Sequence, residues 1–187
     1  MKWLLAISLL IFLMASPAYS QGSEEELNVI RGWFKEISAQ TGDYEAVHFA
    51  DIKVSKNFNP ENYSIEGSEL YAPARVDLTK YFEGENLLKM VVNLFGDRED
   101  LTSAYYLRNG ELFFVDKEKT IYKRPRWHEE FNASEKSTVK NRFYVKNKQI
   151  LKWMNADGLS ITETDPAFHD TQESLQNDFN VYLQVEE

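Results

Sequence analysis

Three segments of this chain fit one template, Tyr-x-x-turn-turn-x-(Leu/Ile): Tyr81 to Leu87 (YFEGENL), Tyr106 to Leu112 (YLRNGEL) and Tyr144 to Ile150 (YVKNKQI). In each, an aromatic-bearing stretch runs into a polar two-residue centre, Gly84-Glu85, Asn109-Gly110 or Asn147-Lys148, and a second apolar stretch leaves. Two-residue hairpin turns need positive φ, which Gly and Asn tolerate, and Asn-Gly between apolar runs is the strongest such signal. The template predicts three antiparallel hairpins, with strands near 75–83 and 86–95, 101–108 and 111–117, and 140–146 and 149–155. The copies lie 25 and then 38 residues apart. They form a repeated supersecondary unit rather than a solenoid of fixed period, and the extra length is a loop from Lys119 to Thr138.

Helical periodicity brackets the hairpins. Leu27, Ile30, Phe34 and Ile37 make one apolar stripe on a helix from about Glu24 to Ala39, opened by a capping box at Ser23 and Glu26 and stopped by Thr41-Gly42-Asp43. Trp33 belongs at the edge of that stripe. Near the end, Asp170 and Glu173 offer a second capping box ahead of Leu175, Phe179 and Tyr182 at helical spacing. Between the first helix and the first hairpin, Val47, Phe49, Ile52 and Val54 suggest one bulged strand from Ala46 to Ser55. Asn57 to Gly67 is rich in turn residues and is expected to be a surface loop. The fold class is thus α+β: an N-terminal helix, an antiparallel meander of about six to eight strands and a C-terminal helix, with the first helix covering one sheet face.

The chain opens with Lys2, the uncharged apolar run Trp3 to Met14, and small residues at Ala18 and Ser20. The run falls short of the roughly 20 residues of a membrane span, and the pattern is that of an export leader cleaved after Ser20 or, as second choice, after Ala18. Residues 21–187 are then one domain, periplasmic or extracellular and expected to be a monomer. The whole chain has 21 basic and 30 acidic residues, and loss of Lys2 with the leader makes this 20 against 30. That excess of negative charge argues against binding nucleic acid or anionic membranes. The chain contains no cysteine, so an exported domain of this kind must be held by its core.

The hairpins Tyr105 to Val115 (YYLRNGELFFV) and Arg142 to Trp153 (RFYVKNKQILKW) resemble those of uncharacterised small exported bacterial proteins that carry YYF-x-N-G-x-L-FFV and RFYF-x-N-G-x-L-x-x-W. The third turn departs from Asn-Gly. The resemblance covers about a third of the chain and implies the fold, a bacterial source and export; it implies no activity.

Chemistry-bearing motifs are sparse. His48, His128 and His169 lie far apart, none with the spacing that sets two ligands on one helix face, and no cofactor or metal is expected. No serine sits in a nucleophile elbow, and no catalytic residue is assigned. The segment with most character is basic: Lys117, Lys119, Lys123, Arg124 and Arg126 against the single acid Glu118, with Pro125 stiffening it and Tyr122 and Trp127 flanking it. A rigid aromatic and guanidinium surface can stack on a ring and pair with carboxylate or phosphate oxygens. Tyr122, Lys123, Arg124, Arg126, Trp127 and His128 are therefore the candidate binding residues of a non-enzymatic module for a protein, a glycan or a small anionic ligand. The alternative is that these cations balance acidic neighbours while Tyr122 and Trp127 seal the sheet edge. Trp153 is expected in the core. Two other functions remain open: a small hydrolase with carboxylates in a sheet cleft, and a carrier of an apolar ligand inside a curved sheet.

Overall fold

The computed structural model describes residues 24–52 and 75–186. The leader, the Ser23 cap, residues 53–55 of the bulged strand and the 57–67 loop lie outside them. Helix α1 (Glu24–Gln40) is followed by a short 3-10 turn (Thr41–Asp43) and then by strands β1 (Glu45–Phe49), β2 (Arg75–Glu83), β3 (Asn86–Phe95), β4 (Glu99–Arg108), β5 (Glu111–Tyr122), β6 (Lys136–Lys146), β7 (Gln149–Met154) and β8 (Ser160–Ile161), and helix α2 (Ala167–Leu183). The strands form one antiparallel sheet in sequence order, a meander in which every pairing joins neighbours along the chain.

The three template copies are the β2–β3, β4–β5 and β6–β7 hairpins. Asn109 and Gly110 both have positive φ (53° and 78°), as do Asn147 and Lys148 (50° and 65°), whereas Gly84 (61°) alone does so in the first turn. The copies share a second feature. Register shifts fall just after the template tyrosine, between Tyr81 and Phe82, Tyr106 and Leu107, and Tyr144 and Val145. The unpaired residue on the returning strand is Leu88, Phe113 or Leu151, and all three pack against the same apolar cluster. The repeat thus encodes a bulge as well as a turn, and the bulge adds an apolar side chain to one face while increasing the local twist.

Consecutive strand residues face opposite sides, so Tyr105 and Tyr106 divide the sheet. On one side Tyr106, Phe113, Phe114 and Tyr144 join Leu27, Ile30 and Ile37 of α1. The Phe34 ring lies 4.7 Å from Phe114, and Trp33 packs edge-on against Phe113 at 5.4 Å, which places Trp33 at the rim of that core as expected. On the other side Tyr105, Val115, Phe143, Met90, Val92 and Leu78 join Phe168, Leu175, Phe179 and Tyr182 of α2. The two helices cover opposite faces.

Several details differ from the sequence-based expectations. Strand β1 ends at Phe49, and Asp51 takes a positive φ of 51°, so the bulge expected between Phe49 and Ile52 is a strand end; Ile52 N–H then donates to Val76 C=O. Helix α2 starts at Ala167 with Pro166 as its N-cap, and Asp165 Oδ1 accepts Ala167 N–H. Proline is compatible with the first turn because the first helical N–H groups have no partner within the helix, whereas the capping box at Asp170 lies inside the helix. Strands β4, β5 and β6 run longer than expected and shorten the loop between β5 and β6 to residues 123–135.

Candidate functional site

Lengthening β5 to Tyr122 moves Lys119 out of the expected loop and onto the sheet, beside Lys117. In β5 the residues facing α2 are Val115, Lys117, Lys119 and Ile121, and the apolar core ends at Val115. Beyond it β5 turns lysines toward this face. Lys117 pairs across the strands with Ser103 and Asn141, and Lys119 with Leu101 and Val139.

Helix α2 meets this polar end with a matching stripe. Its apolar residues Phe168, Leu175, Phe179 and Tyr182 fill the core, while Ala167, Thr171, Ser174 and Asp178, at helical spacing, form the adjacent face. Ala167, Thr171 and Ser174 are small, and they leave space between helix and sheet. The result is a cleft of about 780 Å³ bounded by the start of α2, by β4 to β7 and by the turn after β7. Leu101, Val139, Phe143, Trp153 and Pro166 make its apolar walls.

Both lysines that line it are in ion pairs. Lys119 Nζ is 2.8 Å from Glu99 Oε2, with side chains 7% and 13% exposed, and Lys117 Nζ is 3.2 Å from Asp178 Oδ2, with side chains 12% and 9% exposed. Desolvation largely cancels the Coulombic gain of such pairs, so an apolar pair of similar volume would serve folding as well or better. A third polar group is fixed beside them: Trp153 Nε1–H donates to Asn141 Oδ1 at 2.8 Å. The indole nitrogen can only donate, so the oxygen of the Asn141 amide must face it, and the NH₂ is the end left for other partners. Glu99 Oε1 is fully buried and has no hydrogen-bond partner among the described residues. An orphaned charged acceptor of this kind carries a desolvation cost of about 1–3 kcal/mol or more.

The six candidates drawn from the basic segment lie together at the end of β5, for Tyr122, and in the loop that follows it, for the other five, and their geometry is specific. Tyr122 is buried, donates its hydroxyl to Asp100 Oδ2 at 2.7 Å and packs edge-on against Phe131. Arg126 pairs with Asp100 while its guanidinium lies 4.7 Å over the Tyr122 ring and its Nε donates to Gly96 C=O. Lys123 pairs with Glu135 at 2.9 Å, and Arg124 with Glu130. His128 Nδ1 accepts Glu130 N–H at 3.1 Å and so helps fold the loop. All five cations from Lys117 to Arg126 have a carboxylate partner. Trp127 projects, 73% exposed, from a loop braced by Arg126 N–H to Asp97 C=O. Of the other histidines, His48 bonds Thr79 and His169 packs edge-on against Phe168. No group of three metal-ligating side chains gathers among the described residues.

Set against protein-family models, curated proteins and solved structures, the chain matches none.

Sequence reasoning missed the cleft because it assigned Lys119 to the loop. The signal was present as the alternation of Val115, Lys117, Lys119 and Ile121, which continues the strand period through charged residues. Trp153, expected in the core, packs at 5.3 Å from Phe143 and also lines the cleft.

Proposed function

We propose that this chain is an exported, non-enzymatic binding module whose small-molecule site is the cleft between α2 and the β4–β7 part of the sheet. The observation that carries the proposal is the pairing of an apolar wall with buried charges that folding does not require, in a space of about 780 Å³. Ligand sites of about 300–1,000 Å³ with mostly apolar walls and a few fixed polar groups are the common form of small-molecule pockets. Binding accounts for the acids better than hydrolysis does. Glu99 is held by Lys119, and Asp165 receives the Ala167 N–H, so both are already engaged.

The test is a thermal-shift screen of residues 21–187 against a broad panel of metabolites and glycans. A ligand present at 100 times its Kd stabilises by about 2.7 kcal/mol, a readily measured shift. Thr171→Trp, which fills the cleft from its helical wall, should abolish that shift. A ligand that stabilises this variant as much as wild type would displace the site from the cleft. Export is tested by intact mass: protein recovered outside the cytoplasm should begin at Gln21.

A second contact surface is favoured by Trp127, a large ring exposed on a braced loop. A protein or glycan partner could seat on it, whereas the paired state of the neighbouring cations lends less support to a free anion. Trp127→Ala should leave the melting temperature within about 2 °C, since surface substitutions stay within about ±0.5 kcal/mol. Partner capture that persists unchanged in this variant would remove the loop from consideration.

A further inference from the structure

We infer that Asn132 is a site of N-linked glycosylation, at which Nδ2 takes a glycan from a glycosyl diphosphate donor as the chain is exported. The inference rests on the export half of the proposed function and not on the cleft. Its starting point is Asn132-Ala133-Ser134, an Asn-x-Ser tripeptide without proline at its centre, in the loop between β5 and β6. A transferase reaches such a tripeptide in a folded chain only where a loop holds it at the surface.

Asn132, Ala133, Ser134 and Glu135 are all exposed. They make one turn, closed by Glu135 N–H donating to Asn132 C=O at 3.0 Å. The turn is anchored on both sides: Phe131 packs edge-on against Tyr122, and Lys123 N–H donates to Glu135 C=O at 2.9 Å. The tripeptide itself places no side chain in either apolar cluster of the sheet. A transferase can draw it out for the loss of a few local hydrogen bonds and without uncovering the core, which is the low-stability end of a folded structure.

Within the turn, Ser134 addresses the oxygen end of the Asn132 amide. Ser134 N–H donates to Oδ1 at 3.0 Å and Ser134 Oγ–H donates to it at 2.8 Å. A backbone N–H can only donate, so the atom it meets is the amide oxygen, and the NH₂ is the end left for a donor sugar. An amide nitrogen is a weak nucleophile because its lone pair is shared with the carbonyl. Two donors on the oxygen draw electron density from the nitrogen and make its N–H more acidic, which suits loss of a proton as the new bond forms. In the transfer, Nδ2 bonds to C1 of the sugar while the C1–O bond to the diphosphate breaks, its electron pair leaving on the diphosphate. The Nδ2 proton passes to a carboxylate of the transferase. The turn uses the oxygen and the reaction uses the nitrogen, so the fold and the modification do not compete.

The experiment is mass spectrometry of the protein recovered from its natural source and digested with trypsin. Cleavage after Arg126 and Lys136 gives the peptide 127–136, in which Asn132 is the only asparagine. This separates it from Asn62-Tyr63-Ser64, a tripeptide of the same pattern that lies outside the described residues. The expected result is a covalent sugar on Asn132, several sugars marking a lipid diphosphate donor and a single one a nucleotide diphosphate donor. Asn132→Asp keeps the oxygen that closes the turn and removes the nitrogen, so the sugar should be lost from a chain whose circular dichroism matches wild type. Ser134→Ala should lose it too, and Ser134→Thr should keep it. An unmodified peptide in protein that has lost its leader overturns the site and leaves export standing. A chain found only at full length in the cytoplasm, unmodified, overturns both. Sugar on Ser134 in place of Asn132 overturns the assignment to the amide nitrogen.

Discussion

The third hairpin turn holds a lysine where the second holds a glycine. Lys148 has φ 65° and Gly110 φ 78°, and only the glycine occupies that region without Cβ strain. Lys148→Gly is therefore expected to raise stability by about 0.5–1 kcal/mol, read as a higher urea midpoint at unchanged slope. Gly110→Val should lower it by more than about 1 kcal/mol, because a β-branched residue is poorly tolerated at positive φ. No heavy atom lies within 4 Å of a Cβ built there, so the loss would be conformational rather than a clash. Tyr105 makes a separate test at alkaline pH. Burial, with Asp178 adding to it, raises its phenol well above the ordinary 10.0. The folded state holds this proton more tightly than the unfolded chain. The contribution is complete below about pH 10 and declines as pH rises further, because only the unfolded chain then ionises. Tyr105→Phe should thus flatten the fall in unfolding free energy between about pH 9 and 11, and an unchanged slope would assign that fall to other groups.

At the scale of elements, the hairpins were legible because turn chemistry is local. Gly84, Asn109-Gly110 and Asn147 each announce a turn within a few residues of chain, and the flanking alternation gives strand identity. The bulges were not legible. Leu87-Leu88, Phe113-Phe114 and Ile150-Leu151 read simply as apolar, and only the pairing register reveals that Leu88, Phe113 and Leu151 are extra residues feeding the α1 side. One consequence is that Ile150 N–H, next to the third bulge, is received by Gln172 Oε1 of α2 at 2.9 Å. The other end of α2 is fixed by a contact equally invisible in sequence. Lys80, on the α2-facing side of β2 and 6% exposed, donates through Nζ to the carbonyls of Leu183 and Val185, at 3.0 and 2.6 Å. Those carbonyls lie where a helix leaves its acceptors unsatisfied and its dipole favours a cation. Lys80→Met keeps the buried stem and removes the donors. It should destabilise the protein by about 1–3 kcal/mol and speed amide exchange in the last turn of α2, whereas unchanged exchange would deny the cap.

Across the whole molecule, the two faces of one sheet have different fates. The α1 side closes over aromatic rings, while on the α2 side the apolar run of β5 stops at Val115 and gives way to the lysines of the cleft. The alternation of the template foretold two covered faces in outline, but the polar end depended on how far β5 runs and on which α2 stripe lies opposite it, and both are matters of tertiary pairing. If the Lys119–Glu99 pair serves ligand binding rather than folding, stability and function should separate when it is replaced. The double variant Glu99→Leu with Lys119→Met fills a similar volume with apolar atoms and should be neutral or more stable by about 1–4 kcal/mol. Glu99→Leu alone removes a carboxylate from beside the 7%-exposed Lys119 ammonium and should cost about 3–5 kcal/mol. Urea unfolding of the three proteins gives the comparison, and the double variant should bind none of the ligands that stabilise wild type. A double variant as unstable as the single one would make the ion pair a part of the fold's own support, and the case for the cleft as a binding site would lose its main energetic premise.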